Sequence, residues 1–327
     1  MKMNSMIRGK VAIVCTVLFL GVGVSAFSQE IPSLNDLTRT METFAESMAR
    51  SLPFNASMGL NWADAHIGRF FPAFPPSFGA GVSFGFTTMD NDPLANLLNG
   101  FLPGLSGDLL SWGGFPIPGA MLEGRIGGFF LPFDVGVKIG WLPDFPGNFN
   151  VDYFIVGADI RYAVLEGNLI LPTISVGVGA NFLSGGVGRE LDRIEFNYGG
   201  ANPLTIANPT LGINWQTTTI DFKAQVSRPL LIITPYLGVG ASIGWTTVSY
   251  GLDTNITDMA MTNELREILG AMGIDLDGFS YSIREFGWGF RAFGGLSFNL
   301  PFIRLDLTGL WDFGNNFGVT FGARFQM

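Results

Sequence analysis

The amino-acid sequence predicts an all-β protein, a transmembrane antiparallel up-and-down β-barrel of about ten strands with an N-terminal amphipathic helix. Segments of about ten or more residues repeatedly alternate apolar residues with small or polar ones. Only 14% of the 327 residues are charged, whereas soluble domains average about 25%. Short breaks marked by Pro or Gly alternate with long breaks, as turns and loops do in outer-membrane barrels.

The composition excludes several classes of protein. With 47% hydrophobic residues and 45 glycines, the chain is neither disordered, collagen-like nor a coiled coil. Its formal net charge of −9 makes nucleic acid a poor partner. One Cys and one His, Cys15 and His66, leave little chemistry for a nucleophile or a metal. We therefore expect no enzyme activity, no cofactor and no metal.

Residues 1–26 are predicted to be a signal peptide. Three basic residues within the first ten precede an apolar run over residues 11–24, and small residues lead to a cleavage site after Ala26. An uncleaved anchor is the alternative, but the 16 residues from Val11 to Ala26 fall short of the roughly 20 that span a bilayer. Cleavage would remove Cys15 and change the formal net charge from −9 to −12, because three cations leave.

Residues 27–76 are predicted to form an N-terminal helix and a lead-in segment. Ser33-x-x-Asp36 is similar to a capping box, and apolar residues follow at three- and four-residue spacing as far as Leu52, which predicts a helix of about 18 residues. It would act as a plug in the lumen or as a periplasmic cap. A second helix is expected over residues 259–272, as a lid or a packed loop.

Residues 77–327 are predicted to form the barrel. Over Ser77–Thr88, for example, Phe and Val alternate with Gly, Ser and Thr, so one face suits lipid and the other a lumen. A soluble sandwich would carry many more Lys and Glu on its outer face. Rising strands are expected to start near 77, 133, 171, 232 and 302, and descending strands near 119, 150, 211, 282 and 317. Twelve strands are possible if Asn55–Ile67 pairs in the wall and Gly188–Asn202 contains a further strand.

Charged residues recur on the face predicted to line the lumen, often two apart with opposite sign. They predict ion pairs along the strands that stiffen a narrow interior, or a conduction path lined by the same groups. Seven are cations and five are anions, so neither sign dominates. The candidates are Glu123, Arg125, Lys138, Asp159, Arg161, Asp221, Lys223, Glu285, Arg291, Arg304, Asp306 and Arg324.

The long break over residues 90–119 is unusually apolar for a predicted extracellular loop. Its main candidates are Leu98, Phe101, Leu102 and Trp112. Such a loop would constrict the mouth, lie on the outer leaflet, or admit a hydrophobic solute. Simple inward packing without a ligand is the remaining alternative.

Two stretches carry a resemblance to known proteins. Residues 59–68, GLNWADAHIG, followed by FGAGV at 78–82, resemble a segment of uncharacterised spirochaete-type outer-membrane β-barrel proteins; this resemblance implies a location but no activity. The last strand, Thr320–Met327, is similar to the C-terminal signal read by the barrel-assembly machinery, although Gln326 and Met327 follow the final aromatic, Phe325. The resemblances imply the outer membrane of a diderm bacterium, with its lipid and that machinery as partners.

Two functions follow as hypotheses. The first is a narrow channel or porin-like passive transporter of small solutes. The second is a non-conducting barrel whose extracellular loops bind a surface partner or a hydrophobic ligand. An open path through the lumen would distinguish the first from the second, because side chains can largely fill the interior of a barrel of about ten strands.

Overall fold

The structure is a computed structural model that describes residues 34–67, 77–89, 115–128, 132–142, 149–167, 171–190, 194–196, 204–206, 210–253, 279–314 and 316–327. The signal peptide, the second helix and all four apolar loop candidates, Leu98, Phe101, Leu102 and Trp112, lie outside these residues. The elements are α1 (Leu34–Ala56), β1 (Ser77–Met89), β2 (Phe115–Gly127), β3 (Phe133–Trp141), β4 (Phe149–Leu165), β5 (Thr173–Glu190), β6 (Ile194–Phe196), β7 (Leu204–Ile206), β8 (Thr210–Ser227), β9 (Ile233–Asp253), β10 (Phe279–Asn299), β11 (Ile303–Asp312) and β12 (Phe317–Gln326).

Ten of the strands close into one antiparallel barrel. Each pairs with the next along the chain, β5 pairs directly with β8, and β12 returns to pair with β1. The predicted ten-strand up-and-down barrel is therefore confirmed. The twelve-strand alternative is wrong, because Asn55–Ile67 lies inside the barrel rather than in its wall, and β6 and β7 form a separate two-stranded sheet.

The pleat separates a lipid face from a lumen face, as the sequence alternation predicts. In β3, Val137 is 55% exposed while its neighbour Lys138 is 3% exposed. Aromatic pairs mark both edges of the outer apolar band. The rings of Phe133 and Tyr162 lie 5.0 Å apart at one edge, and those of Trp245 and Phe286 lie 5.5 Å apart toward the other. Aromatic girdles at both interfaces are typical of transmembrane barrels.

The two ends of the barrel differ. The short-turn end carries the breaks at 128–132, 166–172, 228–232 and 300–302. The other end, here called the long-loop end, carries the long connections at 90–114, 191–209 and 254–278 and two shorter ones at 142–148 and 313–316. In outer-membrane barrels such short turns lie in the periplasm and the long loops lie outside the cell.

The wall is tall on one side. The nine residues of β3 rise about 21 Å at a tilt of about 40°, close to the thickness of the lipid-facing band. The strands β4, β5, β8, β9 and β10 are 17 to 21 residues long and continue beyond it at the long-loop end. There the outward side chains become polar: Ser184, Gln216 and Thr247 stand side by side on adjacent strands. This part of the wall therefore projects into water.

Helix α1 lies within the lumen against the tall wall. Its apolar face, which includes Ala45, Met48 and Leu52, is buried against inward side chains of the wall. The helix ends at Ala56, four residues beyond the predicted end, and it continues past Pro53, whose ring packs in the space left by Gly244. Among the described residues, no helix is both long enough and apolar enough to cross a membrane.

The lipid face can be tested on one strand. Val239 and Ser249 both point outward from β9, Val239 within the apolar band and Ser249 above it. Val239→Arg should cost about 2–4 kcal/mol of unfolding free energy, because its charge enters the bilayer, whereas Ser249→Arg should cost about 0–1 kcal/mol. Urea unfolding of protein folded into phosphatidylcholine vesicles measures both values. Equal losses in the two variants would contradict the assigned band.

Candidate functional site

The lumen is occupied by the plug, which is residues Leu34–Ile67: helix α1 followed by an irregular segment. Near the long-loop end, the amide of Asn316 lies 3.5 Å from the Ser51 hydroxyl. Lower down, Asn55 Nδ2 donates to the Thr87 hydroxyl at 2.8 Å. At the short-turn end, the backbone N–H of Ile67 donates to Asp134 at 2.8 Å. The plug therefore runs from the long-loop end to the short-turn end.

A sharp bend lets the plug present its carbonyls to the wall. Gly59 and Leu60 have φ values of +78° and +55°, and a side chain at Gly59 would collide with the sulfur of Met121. The carbonyl oxygen of Leu60 accepts hydrogen bonds from Lys223 Nζ at 3.0 Å and Arg125 Nη2 at 3.3 Å. Two buried cations of the wall thus bind one carbonyl of the plug.

Other polar groups of the wall bind the plug on either side of this bend. Lys138 Nζ donates to the carbonyl oxygens of Ala56, at 2.7 Å, and Met58. The Gln225 amide donates to the carbonyl of Trp62 at 2.7 Å, and the Trp62 indole N–H donates to Glu123 at 2.5 Å. The plug backbone is therefore satisfied by wall side chains instead of water.

Asp134 is the centre of a fully buried cluster near the short-turn end. It accepts hydrogen bonds from Arg125 at 2.5 Å and from Arg161 Nε and Nη2, each at 2.8 Å. His66 Nδ1 lies 3.1 Å from its second oxygen, which also accepts from Ile67 N–H. One carboxylate therefore joins β2, β4 and the end of the plug.

Asp64 makes a second link between the plug and the wall. Its carboxylate accepts hydrogen bonds from Arg304, at 2.8 and 2.9 Å, and from Arg324 at 2.9 Å. Arg324 Nε also lies 3.0 Å from Asp306. The Arg324 guanidinium lies over the Trp62 ring, 4.5 Å from its centroid, which adds a cation–π contact.

The remaining ion pairs cross the interior between strands. Asp159 binds Arg125 at 2.6 Å and also pairs with Lys223. Arg291 of β10 makes two bonds to Asp221 of β8, at 2.5 and 2.7 Å. Side-chain contacts thus connect strands that do not share a backbone ladder.

The predicted ion pairs along single strands are wrong. Glu123–Arg125, Asp159–Arg161, Asp221–Lys223 and Arg304–Asp306 are not among the ion pairs of the described residues. Residues two apart in a strand are separated by about 7 Å, whereas neighbouring strands lie about 4.8 Å apart and a long side chain reaches the plug directly. The cations therefore turn to other strands or to the plug.

Eleven of the twelve predicted lumen candidates belong to this network, and Glu285 does not. Glu285 points inward but is half-buried, on the part of β10 near the long-loop end. Asp64 and Asp134 were not predicted as partners, although Asp134 falls on the same face of β3 as Lys138. With both included and Glu285 left out, the network holds seven cations and six anions.

The lumen leaves little free volume at the level of Trp62. A cavity of about 20 Å³ lies there beside Glu123, Asp306 and Arg324. This volume holds about one water molecule. Among the described residues, no group of three or more His, Cys, Asp or Glu side chains is placed to hold a metal. The arrangement is suited to holding the plug in place.

These features define a transmembrane β-barrel of the outer-membrane type, filled by its own N-terminal segment. Solved structures with a similar fold include the outer-membrane protease OmpT from Escherichia coli, at 11% identity and a TM-score of 0.38 over 78% of this chain and 98% of that one. A major outer-membrane protein from Thermus thermophilus has 13% identity and a TM-score of 0.32 over 77% of this chain and 100% of that one. The translocator domain of autotransporter NalP from Neisseria meningitidis has 10% identity and a TM-score of 0.38 over 89% of this chain and 99% of that one. No protein-family model and no curated protein sequence matches the chain.

The Asp134 cluster can be tested by removing one charge. Asp134→Asn keeps the shape but removes the buried counter-charge that Arg161 pairs with and leaves Arg125 with Asp159 alone, so it should lower the unfolding free energy by about 3–5 kcal/mol. Glu285→Gln is the matched control, because Glu285 is half-buried and outside the network, and it should change stability by less than about 1 kcal/mol. Urea unfolding of the refolded protein in vesicles measures both. Similar losses in the two variants would contradict the central role of Asp134.

Proposed function

We propose that the protein is an outer-membrane barrel that does not conduct solutes while its plug is in place. It acts through its long-loop end, where it binds a surface partner or a hydrophobic ligand. The observation that carries this proposal is the use of the lumen charges. Arg125, Lys138 and Lys223 all donate hydrogen bonds to carbonyls of the plug.

Charge balance also supports a closed lumen. A selective pore usually presents charges of one sign to water, in rings along its path. In this lumen, cations alternate with anions. The side chains of Arg125, Arg161 and Lys223 are each at most 7% exposed. Such groups hold the plug and the wall in one arrangement rather than line a water-filled path.

The long-loop end offers surfaces for binding. A groove of about 460 Å³ lies there on the outer face of the tall wall, lined mostly by outward polar residues that include Asn214, Gln216 and Thr247, and by Tyr153 and Trp215 of the same strands. This volume lies within the range of about 300–1,000 Å³ of small-molecule sites, which also combine aromatic with polar groups. Leu98, Phe101, Leu102 and Trp112 of the long apolar loop remain the predicted source of hydrophobic surface at this end.

A gated channel is the second candidate function. Below helix α1, the plug is held mainly by hydrogen bonds and ion pairs, for example those of Asp64 and Trp62. Water can replace such contacts more readily than it can replace apolar packing. Release of the plug would open a lumen lined by balanced charges and admit small solutes.

We also propose that the chain is exported through a signal peptide cleaved after Ala26 and inserted by the barrel-assembly machinery through β12. The basic and apolar pattern of residues 1–26 supports the first step. The position of β12 supports the second, because it closes the barrel against β1 with Phe325 on the outer face.

Single-channel recording tests the closed state. The chain from Phe27 to Met327, refolded into a planar bilayer, should give no steady current steps, whereas a variant lacking residues 34–67 should give steady steps because its lumen is empty. Heat-modifiable gel migration confirms that each variant has folded. Steps of equal size from both proteins would contradict a plugged lumen.

A tethered plug separates the two candidate functions. The backbone N–H of Ala65 lies 2.9 Å from the Ser227 hydroxyl, so cysteines at these two positions should form a disulfide. A non-conducting barrel should stay silent at high voltage whether the disulfide is oxidised or reduced. A gated channel should conduct at high voltage only in the reduced form.

Surface labelling tests the direction of the plug. Thr43 is exposed on helix α1 in the long-loop half of the barrel, whereas Ala65 is buried at the other end. On intact cells, a membrane-impermeant maleimide should label Thr43→Cys and leave Ala65→Cys unlabelled. Labelling of Thr43→Cys only after disruption of the outer membrane would contradict an extracellular long-loop end.

A further inference from the structure

The short-turn end carries two hairpin loops with unusual residues. The first joins β8 to β9, and Leu230 and Ile233 exchange two backbone hydrogen bonds of 2.7 Å around a two-residue turn. The second joins β10 to β11, where Leu300 and Ile303 do the same at 2.8 and 3.3 Å. Turns that face water usually contain Gly, Asn, Asp or Ser. Residues 228–232 and 300–302, here called the apolar rim, contain only one charged residue, Arg228.

Both turns hold a large apolar residue in a conformation that favours glycine. Leu231 has a φ of +47° and Phe302 a φ of +66°. Bulky side chains at positive φ are rare, because the side chain crowds the backbone. Glycine at either position would relieve the strain. The structure therefore maintains Leu231 and Phe302 at a cost in folding free energy, which calls for a compensating contact.

The described chain supplies little of that contact, which is limited to the stacking of Phe302 on Phe325. Leu231 is 99% exposed and Phe302 is 64% exposed, so most of both side chains lies outside the fold. The two turns are neighbours, since the backbone N–H of Asn299 donates to the carbonyl of Ile232 at 2.8 Å. Together they form one continuous apolar surface at the edge of the barrel.

This surface continues directly into the lipid-facing band. The ring of Phe302 stacks on Phe325, with centroids 6.3 Å apart, and Phe325 in turn contacts Phe78 at 6.3 Å. Phe325 and Phe78 both point outward from the wall. The other two breaks at the short-turn end, 128–132 and 166–172, also contain large apolar residues, in the sequences GFFLP and EGNLILP.

We propose that the apolar rim inserts into the periplasmic leaflet of the membrane and anchors this edge of the barrel at the boundary between headgroups and acyl chains. Lipid is the occupant because the rim continues the lipid face through Phe302 and Phe325, and because Leu231 and Ile232 carry no charge or hydrogen-bonding group for a polar partner. Large apolar residues that lie next to a bilayer gain free energy by entering its interface.

Nitroxide accessibility tests the proposal directly. Leu231→Cys and Phe302→Cys, each in the chain from Phe27 to Met327, are labelled with a nitroxide and refolded into phosphatidylcholine vesicles. Val239→Cys serves as the lipid control and Ser249→Cys as the water control. The ratio of oxygen to nickel-chelate accessibility at 231 and 302 should exceed that at 249 several-fold and approach that at 239. A ratio equal to that at 249, or spin–spin broadening from a second copy, would overturn the proposal.

A glycine variant provides a second test that does not depend on the label. The double variant Leu231→Gly, Phe302→Gly removes both apolar side chains. Because glycine adopts positive φ without strain, the protein should still fold. The midpoint of urea unfolding is measured for the double variant and for the parent chain, each in bilayers with 14-carbon and with 18-carbon acyl chains. The double variant should lose more stability than the parent chain in the thicker bilayer, because it can no longer extend its apolar surface. Equal changes in the two proteins would overturn the anchoring role.

Discussion

The structure depends on one constraint, the absence of water from the bilayer interior. Backbone N–H and C=O groups that face lipid must be paired within the protein, and a closed barrel meets this requirement because it has no free edge. The pairing of β12 with β1 completes the ring of ten strands. Closure then creates an interior that is shielded from lipid, and its charged residues need partners there. The N-terminal plug supplies many of those partners.

The ion pairs of the lumen contribute to position more than to net stability. Burial of two charges removes their hydration, and the attraction between them roughly offsets this loss. Their geometry is nevertheless specific, because Arg125 binds Asp134, Asp159 and a plug carbonyl at the same time. A shift of the plug by one residue would leave several buried cations without acceptors. The network therefore holds the plug in one register.

The two halves of the plug are held by different forces. Helix α1 packs Ala45, Met48 and Leu52 on the apolar inner side of the tall wall. The segment from Ser57 to Ile67 is irregular, and polar side chains of the wall satisfy its backbone. Apolar packing therefore holds the helix, whereas hydrogen bonds and ion pairs hold the segment that closes the lumen. The apolar half lies near the long-loop end, and the polar half closes the lumen below it.

Much of the wall could be predicted from local patterns, and the pairing inside could not. The two-residue alternation determines which side chains face lipid, because the β-pleat has that period, and so the inward positions of Lys138 and Arg161 follow from the linear sequence. The helix was predictable from its own three- and four-residue spacing of apolar residues, apart from its continuation through Pro53. The partners of the charges depend on which strands meet across the lumen and on where the plug lies. Asp64 and Asp134 became central only in the folded chain, because contacts between residues distant in sequence arise from tertiary packing and leave no local signal.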